Sequence, residues 1–236
     1  MARTAIWTSI AATLTHDIAE GRYGPGDKLP TEAELAHRFG VNRHTVRRAL
    51  GAMADDGLLH ARRGSGVFVA QTPTDYPIGR RVRFHQNLAA AGRTAAKTIL
   101  TLETRTADTR EADALALAPG AQVHACEGLS LADAQPIAVF RSIFPAARFP
   151  GLLADLDETK SVTAALARQG VSDYTRITTR LTAKLATATQ ALHLRIAEHA
   201  PILRTVAINI DPDGAPVEYG HTWFAGDRVS LIVNEQ

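Results

Sequence analysis

At 236 residues, 45% hydrophobic and 21% charged, the chain is long enough for one large domain or two modest ones. Its apolar runs fall well short of the roughly 18 to 20 residues a membrane-spanning helix needs, and its single cysteine, Cys126, excludes an internal disulfide framework or a thiolate zinc cluster and fits a reducing cytosol. The net charge of +2 is unevenly divided: residues 1–85 carry 12 Lys/Arg against 8 Asp/Glu and residues 86–236 carry 14 against 16, which points to a polyanionic partner for the first part alone.

In chain order, Ile6, Trp7, Ile10, Leu14 and Ile18 recur at three- and four-residue spacing and predict a helix over 4–20. Polar residues interrupt its start and no cleavage pattern follows, so it reads as part of the mature fold and not as a signal peptide. GRYGPGDKLP breaks it. Thr31 and Glu34 form a T-x-x-E capping box for a second helix through Phe39, Gly40 suits its left-handed end, and Asn42 caps a third helix to about Asp56. LLHAR, a turn at 63–66 and VFVA read as a β-hairpin, so residues 1–70 are expected to form a winged helix-turn-helix. QTPTDYPIG opens an expected linker, 71–85. From 86 to 236 the period changes to two, in QVHACEGLSL, QPIAVFRSIF, TRITTRLTAKL, ILRTVAINI and APVEYGHTWF, with helical patterns at TREADALAL, SVTAALARQ and ATQALHLRIA. This predicts an α+β domain on a mostly antiparallel sheet.

The third helix carries NRHTVRRAL, with three arginines in six positions and no carboxylate before Asp55. A solvated helix would mix its charges. At 100° per residue Val46, Ala49, Leu50 and Met53 face the core, His44, Arg47, Arg48 and Gly51 fall opposite, and Arg43 and Thr45 lie in the exposed first turn. In a helix-turn-helix that outer face enters the major groove, where an arginine fork pairs with guanine or clamps a phosphate. Arg62 and Arg63 sit at the hairpin tip, and Gly64 and Gly66 permit its turn. The expected partner is double-stranded DNA.

LPTEAELAHRFGVNRHTVRRALGAMADDGLLHARRGSGVFVA resembles the DNA-binding domain of GntR-family bacterial repressors over residues 4 to 70. The resemblance implies DNA contacts by Arg43, His44, Thr45 and Arg47, with Arg48 on the same face, and by Arg63 and Gly64 in the wing. Ala33 stands where many members have an arginine, so one backbone contact is missing or replaced. The rest resembles the HutC-type ligand-sensing (UTRA) domain, whose fold is similar to chorismate lyase, through YPIGRRVRFHQNL, LADAQPIAVF, FPAARFPGLL, APVEYG and Asp227-Arg228. YPIGRR with RF-x-x-NL is most similar to regulators of phosphonate uptake and breakdown. The resemblance implies a cytoplasmic homodimeric regulator, most simply a repressor on an inverted-repeat operator, answering to a small anionic effector such as a phosphonate, with no cofactor and no membrane partner.

Phosphosugar-sensing members hold a phosphate with two arginines where this chain has Gly128 and Ser130, and place small hydroxyl residues where it has Arg83 and His85. Ser161 matches their phosphate-contacting serine, at a helix start whose amides favour an anion. Glu218 and Tyr219 match pocket positions, and Glu218 suits an amine. If Asp133-Ala134 makes a two-residue turn, Arg141 falls opposite Cys126, on the face of Gly128 and Ser130, and is the expected replacement clamp; an edge-strand or Glu127-paired arginine is the plainer alternative. Arg176 is a further candidate, sharing a face with Arg180 and Lys184. His124 and Cys126 share a strand face, but two ligands make no metal site. Two other classes compete: a lyase-like enzyme, for which no nucleophile elbow, phosphate loop or acid-base pair is found, and a winged helix serving as a protein-interaction module, which Arg43, Arg47, Arg48 and Arg63 together oppose.

Overall fold

The first three helices lie where the sequence places them, and side-chain caps start the second and third. They are α1 (Ile6–Ala19), α2 (Glu32–Phe39) and α3 (Arg43–Asp55), in a computed structural model that describes residues 5–62, 64, 66–71, 73–81 and 83–233. Thr31 and Glu34 form the reciprocal capping box, Gly40 ends α2 at φ 64°, and the Asn42 side chain accepts from the Thr45 amide. Such caps satisfy amides that the first turn leaves unpaired. Ile10 and Leu14 of α1 pack with Leu35 of α2 and Val46, Ala49, Leu50 and Met53 of α3 in one core, each large side chain adding about 2 kcal/mol by burial. Ile6, expected in the apolar face, is 63% exposed. Arg38 of α2 donates to buried Asp17 of α1 at 2.7 Å, linking those helices. Strands β1 (Leu59–Arg62) and β2 (Gly66–Val69) close the wing, with Leu59 opposite Val69.

The chain divides into two compact units, 1–72 and 73–236. The second begins with β3 (Thr74–Pro77), α4 (Phe84–Ala90), β4 (Ala95–Thr106), α5 (Thr109–Leu115), β5 (Gln122–Ala132) and β6 (Gln135–Pro145). It continues with α6 (Leu152–Thr159), α7 (Val162–Arg168), β7 (Thr175–Leu185), α8 (Ala188–Leu194), β8 (Pro201–Ile210), β9 (Pro216–Ala225) and β10 (Val229–Ile232). Six strands form an antiparallel sheet in the order β4-β5-β6-β9-β8-β7, and β3 pairs in parallel with β10. The expected linker 71–85 is therefore corrected. Its residues 74–77 are a strand of the second unit and bury Tyr76, because an extended, alternating segment can join a ladder that its prolines only border.

Register decides which side chains share a face. The Asp133-Ala134 turn has the expected two residues, both at positive φ (48° and 63°). Two ladder pairs further on, a bulge between Ser130 and Leu131 leaves Ile137 without a partner in the ladder, so Arg141 pairs with Glu127 and Ser142 with Cys126. Pro136, which has no amide to donate, stands beside the irregularity. A second bulge, between Arg176 and Thr178, sets Arg176 opposite Asn209 while Arg180 and Lys184 lie opposite Val206 and Ile202. Arg176 is thereby separated from the two basic residues expected on its face.

Candidate functional site: a basic helix face and a polar cavity

On α3, Arg43 and His44 stand exposed at the amino-terminal end. Thr45 is half-buried, and its hydroxyl donates to Asn42 Oδ1 at 2.9 Å, so the cap that starts the helix also orients this side chain. Arg47 forms a two-pronged pair with Glu32, Nε–Oε1 2.9 Å and Nη2–Oε2 2.6 Å. That hydrogen bond holds the Glu32 carboxyl below the usual range. The Arg48 guanidinium lies 4.9 Å from the centre of the Trp7 ring, an exposed cation–π contact worth about 0.5–1 kcal/mol. In the wing, Gly64 has φ 77°, a conformation side chains disfavour. Arg63 lies outside the described residues.

The second unit holds an open-sided cavity of about 440 Å³ on one face of the six-stranded sheet. Of the residues expected around an effector, Arg83, His85, Ser161, Arg176 and Glu218 line it. Glu218 is buried, and its two oxygens accept from Ser142 Oγ and Asn209 Nδ2, each at 2.6 Å. Arg176 Nε donates to Asn209 Oδ1 at 3.3 Å, so Arg176, Asn209, Glu218 and Ser142 run across four adjacent strands. Arg83 leaves the N-cap position of α4 and lays its guanidinium 3.8 Å from the centre of the Tyr174 ring. Its Nη2 donates to Asp173 Oδ1 (3.1 Å) and the Tyr174 carbonyl (3.0 Å), and its Nη1 is buried with no partner among the described residues. Ser161 Oγ accepts from the Ala164 amide at 3.3 Å; Thr163 and Tyr174 join through their hydroxyls at 2.9 Å. Burial lowers the His85 pKa, and neighbouring Lys97 lowers it further, favouring the neutral ring.

Two expected effector residues lie elsewhere. Arg141 is 46% exposed in its side chain and paired with Glu127 at 2.6 Å, on the opposite face, because the bulge at Ile137 shifts the register by one. Tyr219 follows Glu218 on one strand and so points the other way; it packs on His221 and on the cluster around Leu115 and Ile143. Lys97, Ser142, Thr205 and Asn209 line the cavity and were not expected there. Lys97 is legible in retrospect as the one charge alternating with Ala95 and Ile99 in a chain that has only four lysines. His124 hydrogen-bonds Thr104 and the Phe149 carbonyl through its two ring nitrogens, a packing role. Burial pushes the Cys126 thiol up to about 12.

A winged helix with a basic outer face, joined to a sheet domain around a polar cavity, is the plan of a ligand-sensing transcription regulator. The family description "Bacterial regulatory proteins, gntR family" matches residues 7–69 and "UTRA domain" matches residues 90–230. The chain belongs to the GntR family of bacterial transcription regulators, in the branch that carries a UTRA domain. It is 37% identical over 97% of its length to an uncharacterized HTH-type transcriptional regulator of Rhizobium meliloti, covering 94% of that protein. It is 31% identical over 96% of its length to the "Probable transcriptional regulator PhnF" of Escherichia coli, again covering 94%. The crystal structure of PhnF from Mycobacterium smegmatis superposes with a TM-score of 0.65 at 27% identity, covering 96% of this chain and 99% of that one.

Proposed function

We propose that the chain is a cytoplasmic, homodimeric repressor that binds an inverted-repeat operator and whose affinity for it changes when a small anion, a phosphonate, enters the cavity. The observation that carries the anion reading is the charge of the lining, where Arg83, Lys97 and Arg176 stand against one carboxylate among the described residues, Glu218. The resemblance of YPIGRR and RF-x-x-NL to regulators of phosphonate metabolism supports the finer choice. Arg43, His44, Thr45, Arg47 and Arg48, with Arg63 and Gly64 of the wing, are the DNA contacts of this reading. A two-fold dimer requires two half-sites related by the same symmetry. The effector acts only through different affinities for two states, and a thousandfold change in operator affinity corresponds to about 4 kcal/mol.

The test is operator binding by the full chain across a salt series, followed by thermal shifts with aminoethylphosphonate, methylphosphonate, inorganic phosphate, glucosamine 6-phosphate and urocanate. If each protomer neutralises about three phosphates, log K against log salt has a slope near −5. Arg43→Ala abolishes specific binding. A flat salt response sinks the DNA reading, and a shift with urocanate or the sugar phosphate alone sinks the phosphonate one.

A further inference from the structure

Lys97 belongs to β4, an outer strand of the sheet, and its register partner is Ser130 of β5. Directly opposed residues share a face, and both line the cavity. The Lys97 ammonium lies 4.3 Å from the centre of the Phe140 ring and 5.4 Å from that of Phe84. Among the described residues no oxygen accepts a hydrogen bond from it. Two ring faces attract a cation but cannot satisfy three N–H donors. An ammonium that lines the cavity with no protein oxygen on it keeps its N–H donors for an acceptor that enters there.

The ring beneath this ammonium is held by its neighbours. Phe140 pairs with Gly128, and a Cβ at 128 would stand 2.8 Å from the Phe140 ring and 2.4 Å from the Thr98 carbonyl oxygen. A side chain at 128 is therefore excluded. Phe140 occupies that space instead, and β4 brings a cation to it from the adjoining strand. Glu218, the one carboxylate of the lining among the described residues, has a donor on each oxygen already and lies three strands away in the sheet order, roughly 14 Å between backbones.

We propose that Lys97 takes the anionic head of the effector, a phosphonate or phosphate oxygen seated beside the Phe84 and Phe140 rings within reach of Ser130, and so sets the specificity of the cavity. This rests on the anion-sensing reading above. The effector's anionic head is thereby assigned to β4, not to β6, where Arg141 turns outward.

The experiment is calorimetric titration of the full-length protein with inorganic phosphate, methylphosphonate and aminoethylphosphonate. It compares wild type with Lys97→Met, Lys97→Arg and Lys184→Met, an exposed lysine on the other face of the sheet. Lys97→Met weakens binding of whichever of the three binds wild type by about 30-fold or more, the range for a lost charged hydrogen bond. Lys97→Arg restores it to within about tenfold of wild type, and Lys184→Met binds as wild type does. The arm that binds most tightly names the source of the head. Wild-type affinity in Lys97→Met overturns the assignment while leaving the anion reading standing. Equal losses in Lys97→Met and Lys97→Arg overturn it as well, since packing and not charge would then be at stake. A wild-type protein that binds none of the three overturns the anion reading and Lys97 with it.

Discussion

Arg47 meets its first partner before any DNA arrives. Glu32, in the opening turn of α2, holds the guanidinium through both prongs, and in the proposed complex a phosphate or base edge would compete with that carboxylate. The pair is exposed, so it contributes little to stability but places a negative charge on the face proposed to meet a polyanion. Glu32→Gln should tighten operator binding about 3- to 10-fold at low salt and steepen the salt slope by up to about one per protomer. Fluorescence anisotropy on labelled operator DNA reads both; an unchanged affinity would mean that Arg47 takes no part in the complex. Arg48 differs in kind. Seated on Trp7, it is oriented by α1, and its reach depends on that packing as much as on its own helix.

At the scale of elements, the β5–β6 turn carries a measurable strain. Asp133 and Ala134 both have positive φ, as a type I′ turn demands and as Ala tolerates poorly. Asp133 repays its conformation by accepting from the Thr94 amide at 2.8 Å and pairing with Arg93; Ala134 has no such bond to offer. Ala134→Gly should stabilise the protein by about 0.5–1 kcal/mol, raising its melting point by about 1–4 °C. A lower melting point would show that the turn is not strained at that residue. Elements that rest on local chemistry were legible in advance: Thr31 with Glu34, Asn42, and the apolar alternation of β5, β6, β8 and β9. A bulge is a one-residue miscount that periodicity cannot register, and two of them moved Arg141 out of the cavity and Arg176 into it. Pro136 was the available sign of the first. β4 leaves little trace in the sequence because an outer strand exposes Thr98, Thr101 and Glu103, which weakens its apolar period.

Across the whole molecule, the two units keep separate cores. The cluster around Leu14 and Leu50 draws only on residues 7–69, and the clusters around Phe144, Tyr76, Leu194 and Ile143 only on residues from 76 onward. The cavity, too, is lined by the second unit alone. Scanning calorimetry of the full chain should therefore resolve two transitions, of which effector moves one. At 100 times its dissociation constant a ligand adds about 2.7 kcal/mol, or roughly 5–10 °C for a unit of this size. A single transition, or two that rise together, would show that the units melt as one. The placement of β3 bears on how such sensors can be recombined. Tyr76 and Ile78 belong at once to the stretch that leaves the winged helix and to the wall of the cavity proposed to take the effector. A sensor grafted onto a foreign reader must keep its own residues from 73 onward; a splice at the end of the apparent linker would hand over a receptor with one side missing.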